Sequence, residues 1–267
     1  MTHQGFNWRL ILAIALLTTL TTTSFGEIKK SDRLPNDFPR QGLLAFWAAG
    51  GNTRDLIGGH DGMLLNGAGY ATGIEGLAFN LDNTAGIQGG WSSSIFPAPA
   101  FDGGAFVSVP NSPAWNFGGK NFTVQLWAKF NDVPVYDIGH SQGGILVSHD
   151  NGAFDANKWW FALGGGVLNV HLNDPVLGPQ WLVQAPFTPN TNQWYHLALT
   201  RKENVFTIYV NGVAIGSESS TRALPDATAP LNIGEAEGFY FNGQLDNIAI
   251  SKRALSANEL KKIARRH

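Results

Sequence analysis

The chain contains no cysteine at all. Disulfides, thiolate metal sites and a cysteine nucleophile are therefore excluded, and stability has to come from buried apolar surface, with a bound metal as the one other source. Charge is also scarce: Asp, Glu, Lys and Arg make up 14% of 267 residues, and the formal net charge is -2 with no long run of one sign. Nothing in that balance predicts attraction to nucleic acid or to an anionic membrane surface. Helical periodicity is missing until the last dozen residues, and no apolar run reaches the roughly 20 residues that a membrane-crossing helix needs. What the sequence does have is 32 Gly, 17 Phe and 9 Trp, the composition of many short strands joined by tight turns.

Three segments follow from composition. Residues 1–26 read as a secretory signal, with Arg9 as the positive flank, Leu10 to Leu20 as the apolar run, and small residues around Gly26 as the cleavage point. Such a signal implies a secreted, periplasmic or cell-surface protein with no transmembrane segment after cleavage. Residues 27–41 carry alternating charges and two prolines with little apolar content, and read as a solvated spacer. Residues 42–267 form one all-β domain, an antiparallel sandwich closed by a short C-terminal helix.

Alternation predicts strands over Leu43–Trp47, Phe122–Phe130, Gly144–Ser148, Trp159–Leu163, Val167–Leu172, Gln193–Arg201 and Gln244–Ser251. Asn211-Gly212 supplies the two positive-φ residues of a type I′ turn, so Val210 should face Val213 and Ile208 should face Ile215, with Phe206, Ile208 and Val210 inward. Gly164-Gly165-Gly166 reads as another turn between strands. At the end of the chain, Ser256 and Glu259 have capping-box spacing ahead of Leu260 and Ile263.

Several segments taken in order resemble the laminin-G-like, concanavalin A-like lectin/glucanase superfamily, in the type found in bacterial surface proteins. They are Leu44-Ala45-Phe46-Trp47, Arg54-Asp55-Leu56-Ile57-Gly58-Gly59-His60-Asp61-Gly62, Phe101-Asp102-Gly103-Gly104-Ala105-Phe106-Val107-Ser108-Val109-Pro110 and Phe122-Thr123-Val124-Gln125-Leu126-Trp127. Gln193-Trp194-Tyr195-His196-Leu197-Ala198-Leu199-Thr200, Tyr209-Val210-Asn211-Gly212 and Phe241-Asn242-Gly243-Gln244-Leu245-Asp246-Asn247-Ile248-Ala249-Ile250 complete the match. The resemblance implies a jelly-roll sandwich, frequent calcium binding, and recognition of carbohydrate or of an extracellular protein. Asn80 to Ala100 departs from the pattern and reads as a long inserted loop.

Candidate site residues come from parity. Asp246 shares the alternation of Ile248 and Ile250, and an inward carboxylate calls for a cation or several donors. Calcium fits that need, with Asp55 or Asp61 supplying further oxygens; the alternative is a carboxylate that accepts backbone N–H groups at a corner. Gln125, Trp127 and Lys129 lie opposite the core face of their strand and form a candidate sugar platform. Trp159 and Trp160 cannot share a face, which makes Trp160 an outward candidate. Trp91 and Trp181 read as loop aromatics, and Trp181 is a further candidate wall. The body histidines have no partners at metal-ligand spacing and read as structural. Glu235 and Glu237, flanked by glycines, read as a loosely held loop pair rather than as the rigid carboxylates of a hydrolase. The resulting expectation is a non-catalytic recognition module, with a structural or assembly domain and a glycoside hydrolase as alternatives.

Overall fold

The computed structural model describes Met1 and residues 33–84, 103–134, 144–152 and 156–266. The segment read as an export signal, Trp91 and most of the segment read as an inserted loop lie outside the described residues. In chain order the strands are β1 (Leu43–Trp47), β2 (Met63–Leu65), β3 (Gly69–Thr72), β4 (Leu77–Leu81), β5 (Phe106–Val109), β6 (Phe122–Phe130), β7 (Gly144–Asp150), β8 (Lys158–Gly164) and β9 (Val167–Asp174). They continue with β10 (Gly178–Pro186), β11 (Trp194–Lys202), β12 (Val205–Val210), β13 (Val213–Ser219), β14 (Leu231–Ile233), β15 (Glu235–Ala236), β16 (Phe239–Tyr240) and β17 (Gly243–Ser251). Helix α1 (Ala257–Ala264) follows.

Two large antiparallel sheets result. Sheet I has the order β13-β12-β11-β6-β17-β4-β3 with β1 also paired to β17, and sheet II has the order β10-β9-β8-β7-β14-β5-β2. Their facing surfaces share one core. Val124, Leu126 and Phe130 from β6 meet Trp159, Phe161, Val170 and Leu172 from β8 and β9, all fully buried, as the alternation of those strands requires.

The hairpin at Asn211-Gly212 forms with positive φ at both residues and pairs Val210 with Val213. Phe206 and Ile208 are fully buried, and Val210 packs against the core. The expected Ile208–Ile215 pair does not form: a β-bulge between Ile208 and Tyr209 leaves Ile215 unpaired in the register, and Ile208 faces Gly216. Gly212 also lies under α1, where an added Cβ would stand 2.4 Å from the Cα of Lys261. Gly212→Ala therefore meets both the left-handed backbone and the helix, and we expect a loss of at least about 1 kcal/mol in urea unfolding. A change within error would mean that the helix does not rest on this turn.

Two expectations need correction. The spacer is not solvated throughout, because Leu34 and Phe38 are buried with Phe46, Ala198, Ala249, Leu260 and Ile263 in a second cluster on the outer side of sheet I. Asp37 adds an ion pair to Arg266, whose guanidinium also lies over the Phe38 ring. The insertion also starts later than expected: Asn80 belongs to β4, and the described chain on either side of residues 85–102 is clamped where Asn83 exchanges side-chain hydrogen bonds with the Ala105 N–H (2.8 Å) and C=O (3.1 Å). The capping box of α1 forms as expected between Ser256 and Glu259.

Candidate functional site

The outer face of sheet I is covered. The 34–38 segment and α1 pack across it, leaving Gln125 and Trp127 buried, with His196 bonded to Gln125 (2.9 Å) and its ring 5.4 Å from that of Trp127. Burial holds His196 neutral, pushed down to about 3. Lys129 sits at the margin with its ammonium over Trp194. With only 5% of its surface exposed, Trp127 presents no open ring for a sugar. The expected platform is corrected on this point, because parity identifies a non-core face but not what lies over it.

Asp246 also lies on this outer face. The pairing of β17 with β6 shifts between Asp246 and Ala249, and Asn247 adopts φ 49°, so Asp246 stands opposite Trp127 while Ile248 and Ile250 turn into the core. The expectation that Asp246 shares a face with Ile248 fails at this bulge, since one extra residue reverses parity. The carboxyl is fully buried; its Oδ2 accepts the Ile74 N–H at 2.9 Å, and burial pushes it up to about 7 against the opposing effect of backbone N–H donors.

Asp55 is engaged elsewhere. Its Oδ1 accepts the N–H groups of Phe46 and Ile57, and its Oδ2 accepts those of Gly58 and His60 together with His60 Nδ1 at 2.7 Å. Asp61 in turn accepts the Asp55 N–H. The loop closes this tightly because Gly58 has no Cβ: one would lie 2.3 Å from the His60 ring. Among the described residues, Asp55, Asp61 and Asp246 are not gathered into a group of three or more His, Cys, Asp or Glu that could hold a metal ion.

The outer face of sheet II is different. Registered pairs place Trp181 opposite His171, His171 opposite Trp160, Trp160 opposite Ser148, and Ser148 opposite Asn232. Ser108 and Met63 complete one transverse row across all seven strands. Its aromatic half is packed ring to ring: Trp160 stacks on His171 with centroids 4.3 Å apart, and His171 meets Trp181 edge-on at 4.7 Å. Trp181 is 45% exposed. Burial, aided by the Lys158 charge, pushes His171 down to about 4, so at neutral pH the row is an uncharged aromatic wall.

Trp181 is not a loop residue as expected. It lies on β10, an edge strand whose Pro179 and Pro186 cost nothing on the side that has no partner. A bulge between Trp181 and Val183 lets Leu182 and Val183 both enter the core while Trp181 faces out. His171, which the sequence reading took as merely structural, is the link between the two indoles. A signal for it existed: the Gly165-Gly166 turn, with φ 58° and 75°, fixes a hairpin register in which residue 160 faces residue 171.

Beside this wall stands the β15-β16 hairpin, turned at Glu237 and Gly238, both at positive φ. Ala236 packs on Ile145 and Ala162, with Trp160 and Phe239 against them, and Ser148 Oγ donates to the Glu235 carbonyl at 2.6 Å. The two glutamates are thus held firmly, contrary to the expected loose loop. Glu235 accepts Asn232 Nδ2 (2.6 Å) and the Gly238 N–H (3.0 Å), while Glu237 pairs with the buried Lys158, which also lies 3.5 Å from Asp150. Burial raises both glutamates above the ordinary carboxylate range, opposed in Glu237 by Lys158. Each carboxyl is already taken up by these partners.

A family model described as the concanavalin A-like lectin/glucanases superfamily matches residues 101–261, more than half of the 267-residue chain. The chain belongs to this superfamily. Among solved structures, this superfamily member resembles domain 4 of AbnA, a GH43 extracellular arabinanase from Geobacillus stearothermophilus in complex with arabinotriose. The TM-score is 0.60 at 18% identity, covering 84% of this chain and 98% of that one. It also resembles the binding domain of Paraclostridial Mosquitocidal Protein 1 (TM-score 0.56, 20% identity, 84% of this chain and 52% of that one). The binding domain of Botulinum Neurotoxin serotype G gives 0.55 at 13% identity, with coverages of 83% and 50%. The chain spans about half the length of these two toxin domains, and at such identities the likeness shows the fold alone. No curated protein matches the sequence. No helix among the described residues is long and apolar enough to cross a membrane.

Proposed function

We propose that this protein is an exported, non-catalytic glycan-recognition module that binds its ligand on the outer face of sheet II. The observation that carries the reading is the registered aromatic row Trp181–His171–Trp160, which opens to solvent at Trp181, whose surface is 45% exposed. Sugar rings present apolar C–H faces, which an exposed indole held in a ring-to-ring row can stack on. The fold is compatible, since a domain of similar architecture has been crystallised with arabinotriose. The export signal read in residues 1–26 suits a ligand outside the cytoplasm. Hydrolysis is the weaker reading, because Glu237 is neutralised by Lys158 and both Glu235 oxygens are hydrogen-bonded, whereas a glycosidase needs two carboxyls free to exchange protons across a scissile bond.

A panel of pentose and hexose oligosaccharides, screened on an array and followed by titration calorimetry, tests this. Trp181→Ala should weaken binding to any ligand found by about tenfold or more through lost stacking area. Val213→Ser, on the opposite sheet, is the control. Unchanged affinity in Trp181→Ala would remove the row from the binding site.

A further inference from the structure

We propose that Gln184 is the side chain by which the sheet II face chooses among sugars, while Trp181 supplies affinity with little choice; this rests on the glycan reading above. The register of β9 with β10 carries the argument. Trp181 pairs with His171 and Gln184 with Asn169, and the bulge between them sends Leu182 and Val183 into the core, so that Trp181 and Gln184 are successive outward residues of β10. Their partners on β9 lie two positions apart, which sets the two side chains about 7 Å from each other along the strand. A single sugar ring with its hydroxyls spans that distance. Both residues are exposed, on the strand that forms the edge of the sheet.

The polar side chains nearer the middle of the face are already engaged. Asn169 is 2% exposed and gives its amide to the Val167 carbonyl, Ser148 donates to the Glu235 carbonyl, and Asn232 donates to the Glu235 carboxylate. Gln184 differs from them, since among the described residues no hydrogen bond holds its side chain. Its carboxamide offers a carbonyl acceptor and two N–H donors in one plane, and it carries no charge, so what it reads is hydroxyl geometry. A sugar stacked on Trp181 has its ring plane fixed by the indole. A carboxamide that bridges neighbouring hydroxyls of that ring is then sensitive to their orientation, because inverting one carbon moves its oxygen relative to the fixed plane and a bond is lost. The indole makes no such distinction, as sugar rings in general present C–H faces to it. A group placed to hydrogen-bond a hydroxyl discriminates more sharply than an apolar surface does.

The test uses gluco-, manno-, galacto-, xylo- and arabino-oligosaccharides of equal length, titrated against the wild type, Gln184→Ala and Trp181→Ala. The wild type should spread their affinities over at least about tenfold. Gln184→Ala should weaken the best ligand by about tenfold and narrow the spread to about threefold or less. Trp181→Ala should lower every binder by a similar factor and keep their order. Gln184 is exposed and unbonded, so its replacement leaves the fold intact. A Gln184→Ala protein that keeps the wild-type order and spread overturns the inference, as does one that weakens every ligand alike, or a wild type that binds all members equally. Binding of the wild type to no member of the panel overturns the glycan reading itself, a result distinct from the others.

Discussion

Asp55→Ala should lower the stability of the domain by at least about 3 kcal/mol, the largest loss we expect from any single side chain outside the hydrophobic core. Its two oxygens accept four backbone N–H groups and one imidazole N–H between Phe46 and His60. The carboxylate is thereby the hub on which the Gly58-Gly59 loop is wound against β1. Alanine leaves those donors without a partner, and the Phe46 N–H lies in the buried interior of the sheet. Each buried unpaired donor costs about 1 to 3 kcal/mol, and water entering the loop can recover only part of the sum. Urea unfolding followed by tryptophan fluorescence measures the change. A loss under about 1 kcal/mol would show that the loop finds its backbone partners without the carboxylate.

Asp246→Asn should gain stability relative to the wild type as pH rises from about 4 to about 7, a difference in which the opposite pH dependence of the buried neutral His171 and His196, shared by both proteins, cancels. The folded-state value of Asp246, about 7, lies above the ordinary aspartate value of 3.8 because burial disfavours the charged form. In that window the folded protein keeps a proton that the unfolded chain has released. The associated stabilisation is complete below about pH 4, declines through the folded-state value, and is gone above it. Its upper bound is about 4 kcal/mol, at about 1.4 kcal/mol per unit of displacement. Asparagine is uncharged at every pH and offers the same carbonyl oxygen to the Ile74 N–H, so the variant should gain on the wild type as pH increases. Melting temperatures taken for both between pH 4 and pH 8 give the comparison, and parallel curves would show that Asp246 does not titrate in this range.

How much of this was legible without coordinates varies residue by residue. The ends of β1 and β6 coincide with the apolar runs read from the sequence, because both strands lie within a sheet whose two faces are covered and are buried along nearly their whole length. The Asn211-Gly212 turn and the Ser256–Glu259 capping box were equally readable, since each is a local device whose geometry is dictated by the residues that compose it. The edge strand β10 was hidden by Pro179 and Pro186, which argue against a strand unless one side is known to have no partner. Asp246 was recognised as buried and in need of donors, yet assigned to the wrong face, because the bulge at Asn247 depends on how β17 fits both β1 and β6.

Local chemistry, then, determined the strands, the tight turns, the helix cap and the all-β class, because each rests on forces acting between residues close in the chain. Tertiary structure alone decided which outer face is covered and which presents the aromatic row. Leu34 and Phe38 come to α1 across more than 200 residues of sequence, and Trp160, His171 and Trp181 meet only when three strands lie side by side. Parity along one strand says which side chains share a face; it carries no information about the segment that will later pack on that face, since that packing is set by apolar surface supplied from elsewhere in the chain.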